Sequence, residues 1–111
     1  MTFEEAQMLV RQFRDERDWE QFHVSKDLAI AISLEANELL ENYLWTGIEL
    51  EVPEKLEEVK DELADVLIYC LHLANHLDLD AGDLVLSKMK KNAKKYPAEK
   101  ARGTARKYTE L

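Results

Sequence analysis

The chain has 111 residues, which fits one domain and leaves no room for a separate cofactor-binding domain. Hydrophobic residues make up 46% and charged residues 34%, a balance that excludes a disordered chain, and no apolar run approaches the roughly 20 residues of a membrane span. Only 3 Gly and 2 Pro occur, so an all-α fold is favoured over a turn-rich β fold. The sole cysteine, Cys70, and an N-terminus without signal-peptide features predict a cytoplasmic protein.

The net charge of −8 is unevenly distributed along the chain. Residues 1–83 hold 6 Lys and Arg against 21 Asp and Glu, whereas residues 84–111 hold 9 against 2. The acidic part would repel a polyanion and the basic end lacks a groove-reading motif, so we expect neither a nucleic-acid polymer nor a membrane as partner. The charge pattern fits a site in which carboxylates bind metal cations and lysines bind an anionic ligand.

The first half of the chain predicts two helices. Thr2 is expected to cap the first, with Glu5 completing a capping box, and apolar residues continue at helical spacing to about Arg17. A break follows, and Ser25 is expected to cap a second helix that reaches about Trp45.

The second half predicts two more helices and a tail. Pro53 suits a first helical position, and the third helix runs from there to about Leu77. Asp80 is expected to cap a fourth helix that ends at Tyr96-Pro97. Residues 98–111 show no helical period. We therefore predict a helical domain over 1–97 and a basic C-terminal tail over 98–111, with the helices forming a four-helix bundle.

Four acidic side chains fall on or beside the apolar faces of the second and third helices. Glu35 and Glu38 lie one turn apart within an apolar stripe, and Glu62 and Asp65 repeat the pattern. Single acids usually reach water at a helix edge, but two matched pairs without a nearby basic residue require compensating cations. Oxygen ligands of this kind select Mg²⁺ or Mn²⁺, and Mg²⁺ typically binds through few carboxylates plus substrate phosphates.

A di-iron centre is the main competing metal site. It requires two Glu-x-x-His motifs, and the single instance, Glu20-x-x-His23, falls in the break between helices. His72 and His76 lie in the same helical band as the acids but are not assigned as ligands. Cys70 is interpreted as a small buried hydrophobe.

Glu35-x-x-Glu38 followed after 23 residues by Glu62-x-x-Asp65 resembles the signature of the MazG-like all-α nucleoside triphosphate pyrophosphohydrolases. Further blocks, in order along nearly the whole chain, resemble the dCTP pyrophosphatase branch. A second Glu that the broader family often has before the first acid is replaced by Leu34, as in that branch. The blocks are Arg17-Asp18-Trp19-Glu20-Gln21-Phe22-His23, residues 61–69, Lys88-Met89-x-x-Asn92-x-x-x-Tyr96-Pro97 and Arg102-Gly103-x-x-x-Lys107-Tyr108-Thr109.

The resemblance implies hydrolysis between the α and β phosphates of a nucleoside triphosphate, dCTP or a 5-modified dCTP, in nucleotide-pool sanitation. Glu35, Glu38, Glu62 and Asp65 are the implied catalytic and metal-binding residues, and Glu38 is our preferred general base. The implied substrate-binding residues are Trp19, His23, Trp45 and Tyr69 for the base and Lys88 and Asn92 for the phosphates.

Apolar residues also cover the side of the second helix away from the acids. Leu40, Tyr43 and Leu44 lie on that side. A helix that is apolar on both sides presents more apolar surface than four short helices of one chain can bury. We expect a homo-oligomer, and the resemblance implies a dimer or a tetramer. The alternative function is a non-catalytic helical interaction module, in which the acidic stripe is exposed and the basic tail docks a partner.

Overall fold

The computed structural model describes all of residues 1–111 and contains no strand, which confirms the predicted all-α class. None of its helices is both long and apolar enough to cross a membrane. Short 3₁₀ turns cover Glu20–Phe22, Pro53–Lys55 and Tyr108–Glu110. The helices are α1 (Phe3–Glu16), α2 (Ser25–Glu41), α3 (Leu56–His76), α4 (Ala81–Lys95) and the one-turn α5 (Ala98–Ala101).

Two of the predicted helix caps are present. Thr2 Oγ1 accepts a hydrogen bond from the backbone N–H of Glu5 at 3.1 Å, and the Glu5 carboxylate accepts in return from the backbone N–H of Thr2. Asp80 Oδ1 accepts from the backbone N–H of Asp83 at 2.8 Å. These side chains satisfy N–H groups that the first helical turn leaves without a partner, and they determine where α1 and α4 begin.

The predicted boundaries of α2 were wrong at both ends. Ser25 is the first helical residue rather than the cap, and Val24 occupies the cap position without a side-chain hydrogen bond. The helix ends at Glu41, and Trp45, predicted to lie at its end, has a φ of +64°. That left-handed backbone conformation is incompatible with continuing a right-handed helix.

The third helix is the central element of the chain. α3 packs against α2 and α1, while α4 packs mainly against α1. A buried polar cluster joins α1, α3 and α4: Gln7 Nε2 donates to Asn75 Oδ1 and to the carbonyl of Leu79, and Gln7 Oε1 accepts from the backbone N–H of Ala81. These bonds hold the α3–α4 turn against α1.

A single chain encloses little apolar core. Only five hydrophobic residues are buried, and the radius of gyration is 17.3 Å, against about 13 Å for a compact domain of this length. The four long helices therefore do not close a bundle by themselves. Cys70, predicted to be buried, is exposed, because the adjoining face of α3 with Leu63 and Leu67 has no covering element in the same chain.

The C-terminal residues contain more regular structure than the sequence predicted. α5 and the turn Tyr108–Glu110 lie within the stretch for which no helix was expected. The Tyr108 ring packs edge-on against Tyr96, with centroids 5.9 Å apart, and Lys95 Nζ lies 4.8 Å from the Tyr108 ring centre. Aromatic and cation–π contacts thus hold the end of the chain against the end of α4.

Candidate active site

Three carboxylates converge where α2 packs against α3. Glu35 comes from α2, and Glu62 and Asp65 lie one turn apart on α3. Each contributes an oxygen atom, and these atoms all lie within 4.8 Å of one another. All three side chains are half-buried. The structure thus brings together three of the four acids that the sequence singled out.

The environment of this cluster disfavours negative charge. Burial, a hydrogen bond with Glu38 and the charges of the neighbouring carboxylates together raise the pKa of Glu35 to about 7. Burial, a hydrogen bond with Glu38 and the charges of nearby carboxylates, Asp61 among them, also raise the pKa of Glu62. One oxygen of each, Oε2, is enclosed and has no hydrogen-bond partner. Enclosed carboxylate oxygens without partners are unfavourable unless something pairs with them.

Glu38 lies at the edge of the cluster rather than inside it. Its side chain is exposed, whereas the sequence placed it centrally on the inward face of the helix. It is still within hydrogen-bonding reach of both Glu35 and Glu62. This position exposes the Glu38 carboxyl to water while it remains beside the other acids.

The cluster is suited to a divalent cation. The ion pairs of the chain engage Arg14, Arg17 and Lys60 with other acids, and none of them reaches these carboxylates. Unpartnered carboxylate oxygens with no Cys or His among them are the donor set that Mg²⁺ and Mn²⁺ prefer. The residues present therefore fit the metal expected from the sequence, and a cation would offset their mutual repulsion.

A groove of about 500 Å³ runs between α1 and α3 and reaches the carboxylates. Val10, Phe13 and Trp19 form one side, and Tyr69 and His72 lie on the other. Asp65 lines the same groove, so the apolar cavity and the acidic cluster are continuous. This arrangement can hold a flat apolar group in the groove and an anionic group beside the acids.

Two histidines are buried next to this groove. The rings of His23 and His72 pack edge-to-face with centroids 4.5 Å apart. Burial, with a smaller contribution from the charge of Arg14, lowers the pKa of both side chains, that of His72 to about 4. Both imidazoles are therefore neutral near pH 7.

The other residues predicted to bind substrate are distributed unevenly. Trp19 and Tyr69 line the groove, and His23 lies behind His72. Trp45, Lys88 and Asn92 do not line it, and Trp45 is 91% exposed. His72 lines the groove but was not assigned a role from the sequence. The sequence did contain a signal for its location: His72 follows Asp65 by seven residues, or two helical turns, and so lies on the same face of the helix.

Comparison with known proteins shows the family of this chain. A sequence profile of the MazG-like family matches residues 30–111. This chain belongs to the MazG-like family. It is 42% identical to dCTP pyrophosphatase 1 of Homo sapiens over 115 residues, which cover 99% of this chain and 68% of the human protein. The Mus musculus dCTP pyrophosphatase 1 is 39% identical over the same shares of both chains.

A solved structure supports the relationship. A pyrophosphatase from Archaeoglobus fulgidus DSM 4304 matches with a TM-score of 0.72 and 42% sequence identity, covering 85% of this MazG-like chain and 91% of the archaeal one. The family and branch expected from the sequence motifs are thereby confirmed. So is the enzyme class, a hydrolase of phosphoanhydrides.

Proposed function

We propose that this MazG-like protein is a Mg²⁺-dependent pyrophosphohydrolase that cleaves dCTP, or a 5-modified dCTP, to the monophosphate and pyrophosphate. The observation that carries the proposal is the convergence of Glu35, Glu62 and Asp65 next to an aromatic groove. A nucleoside triphosphate has the matching composition, a flat base joined to a polyanion that binds with divalent cations. Four mammalian relatives named dCTP pyrophosphatase 1 support the choice of nucleotide.

The four acids share the proposed metal site, and Glu38 has a second role. Glu35, Glu62 and Asp65, with Glu38 at their edge, would hold the cation and orient it toward the phosphates. Mg²⁺ held there would neutralise phosphate charge and lower the pKa of a bound water. Glu38 is the proposed general base, because its exposed carboxyl stands next to the cluster and can pass a proton to solvent.

Base binding is assigned to the groove. Trp19 and Tyr69 provide ring faces for stacking, which contributes on the order of 1 to 3 kcal/mol per base. Lys88 and Asn92, one turn apart on α4, are proposed to contact the phosphates, and Trp45 is proposed to cover the base. The last three do not line the groove of one chain, so their roles depend on a second chain or on closure around the nucleotide.

A homo-oligomer, a dimer or a tetramer, is proposed to complete the protein. A folded monomer of this mass exposes about 6,300 Å², whereas this chain exposes 8846 Å². The excess surface exceeds the area of a standard protein–protein interface. Leu40 on α2, Leu44 in the turn that follows α2, and Leu86 and Met89 on α4 are each more than half exposed. A second copy that covers these faces would remove from water the apolar surface that this chain leaves open.

The decisive experiment incubates the protein with a panel of nucleoside triphosphates and Mg²⁺ and separates the products by chromatography. Monophosphate and pyrophosphate are expected, with dCTP the preferred substrate. Diphosphate and orthophosphate would show that a different bond is cleaved. No hydrolysis of any nucleotide, together with unchanged behaviour on adding Mg²⁺, would favour the non-catalytic interaction module instead.

A further inference from the structure

Among the groove-lining residues that carry a polar side chain, His72 is the most deeply buried. Only 5% of the residue is exposed, yet its ring forms part of the groove wall. Nδ1 is enclosed and has no hydrogen-bond partner, and Nε2 forms no hydrogen bond but is not enclosed in this way. The enclosed Nδ1 cannot reach the groove, so Nε2 is the ring nitrogen able to pair with a partner there.

The surroundings of His72 argue against a cation as that partner. Arg14 is buried close enough for its charge to disfavour positive charge on His72 and on His23. The His23 ring packs edge-to-face against His72 and gives it an aromatic neighbour on one side, and Tyr69 lies 5.8 Å away, centroid to centroid. A neutral imidazole in an aromatic cavity offers one donor and one acceptor, which suits a neutral heterocycle.

We propose that His72 hydrogen-bonds, through Nε2, to the polar edge of the nucleobase seated in the groove. The inference rests on the proposed function for the identity of the ligand. The base edge carries ring nitrogen, carbonyl and amino groups, so either tautomer of the neutral imidazole finds a complementary atom there. Trp19 and Tyr69 then supply ring faces, while His72 supplies a directional contact that distinguishes a base from any other flat apolar group.

The experiment measures nucleotide binding rather than turnover. Isothermal titration calorimetry measures the affinities of the wild type and of His72→Phe for dCMP and for deoxyribose 5-phosphate, which lacks a base. Phe retains a ring against His23 but cannot form the hydrogen bond. The dCMP affinity is expected to fall about tenfold or more, and the affinity for deoxyribose 5-phosphate to stay unchanged. His76→Phe, one turn further along α3 and exposed, is the matched control and should leave both unchanged.

Two further results separate a base contact from a structural role. His72→Gln, whose amide can reach a base edge, should restore part of the dCMP affinity, and this variant also serves if His72→Phe does not fold. In turnover, His72→Phe should raise KM with little change in kcat, because the contact exists in both ground and transition states. Equal dCMP affinities of wild type and folded His72→Phe would overturn the inference. So would equal losses for dCMP and deoxyribose 5-phosphate.

The same experiment distinguishes this inference from the proposed function. If the wild type binds dCMP through His72 but hydrolyses no triphosphate, the base contact stands and the proposed reaction fails. If the wild type hydrolyses dCTP and His72→Phe keeps the full dCMP affinity, the reaction stands and the base contact fails.

Discussion

Gln7 of α1 and Asn75 of α3 are joined by two hydrogen bonds: Gln7 Nε2 donates to Asn75 Oδ1, and Asn75 Nδ2 donates to the main-chain carbonyl of Gln7, each at 3.1 Å. Both side chains are buried, at 8% and 4% exposure. Since Gln7 also bonds to the backbone of Leu79 and Ala81, this pair fixes the angle at which α1 meets the α3–α4 turn. α1 is also one wall of the groove.

The first prediction concerns this pair. Asn75→Ala removes both hydrogen bonds between Gln7 and Asn75 from a buried site, and should lower the free energy of unfolding by about 1 to 3 kcal/mol. Urea denaturation followed by circular dichroism measures the change. Asn37→Ala is the matched control, because the Asn37 side chain is exposed and bonds only to the Ser33 carbonyl of its own helix. A control as destabilised as Asn75→Ala would contradict the assignment.

The second prediction concerns the acidic cluster. Asp65→Asn and Glu38→Gln should each reduce turnover about 100-fold or more, because a correctly held cation supplies several kcal/mol of transition-state stabilisation. The helices should persist in both variants. Asp65→Asn should also raise the Tm of metal-free protein, since it removes one of several repelling charges, and should diminish the rise in Tm on adding Mg²⁺.

Glu58→Gln, exposed on α3, provides the control for the same charge change. It should change neither turnover nor the response of Tm to Mg²⁺. If Asp65→Asn and Glu38→Gln retain nearly the wild-type rate while both remain folded, the metal site is not where we place it.

The third prediction is the pH dependence of stability of the metal-free protein. Glu35 has a folded-state pKa of about 7 against an ordinary 4.5, so the folded state binds more protons than the unfolded state between these values. The contribution of Glu35 is therefore fully present below pH 4.5 and is lost as the pH rises through about 7. Saturating Mg²⁺ should abolish this loss, because the cation favours the charged carboxylate.

His72 acts in the opposite direction. Its pKa falls from an ordinary 6.5 to about 4 in the folded protein, so its contribution is present above pH 6.5 and is lost as the pH falls toward 4. The two effects overlap between pH 4.5 and 6.5. Urea midpoints across pH 4–8 for Glu35→Gln should therefore show a steeper rise with pH than the wild type over that interval. Identical profiles for the two proteins would contradict the placement of Glu35.

The fourth prediction concerns assembly. Leu40 and Leu44 are 63% and 56% exposed in one chain, and replacing both with Asp would place charge in the proposed apolar contact without a partner. We expect dissociation or loss of folding, with loss of activity at saturating Mg²⁺. Light scattering measures the mass. A double variant with Gln12→Asp and Gln21→Asp adds the same charge at exposed polar positions and should keep the wild-type mass.

Two outcomes would contradict this prediction. A wild-type mass near the 12.9 kDa of one chain at micromolar concentration would mean that the exposed faces are not covered by a second copy. A monomeric Leu40→Asp, Leu44→Asp variant that remains active would mean that each chain carries a complete site by itself.

Local sequence signals predicted the helices well because they depend on near neighbours. The capping residues Thr2 and Asp80 and the helical spacing of apolar residues act within a few residues of each other, so they can be read without a fold. The end of α2 was misplaced, because the turn after Glu41 bonds through the carbonyls of Leu39 and Leu40 and no Pro or Gly marks it before Gly47.

The candidate site was predictable only in part. Pairs of acids three residues apart determine that Glu62 and Asp65 share a helix face, and likewise Glu35 and Glu38. Whether the two faces meet depends on how α2 packs on α3. In this packing Glu38 lies at the edge of the cluster, and a carboxylate oxygen of Glu35 lies within 4.8 Å of oxygens of Glu62 and Asp65. The residue pattern of one helix does not determine how that helix is rotated about its axis when it packs against another helix.

The sequence by itself determined the all-helical class, the starts of α1 and α4 and the candidate acidic residues, because each depends on side-chain type and spacing along the chain. The tertiary structure decided which side chains come together. His23 contacts His72, 49 positions further along the chain, Gln7 bonds to Asn75, and Cys70 is left exposed. These outcomes arise from packing between distant segments, where burial and the pairing of buried polar atoms select one arrangement among many that the local pattern permits.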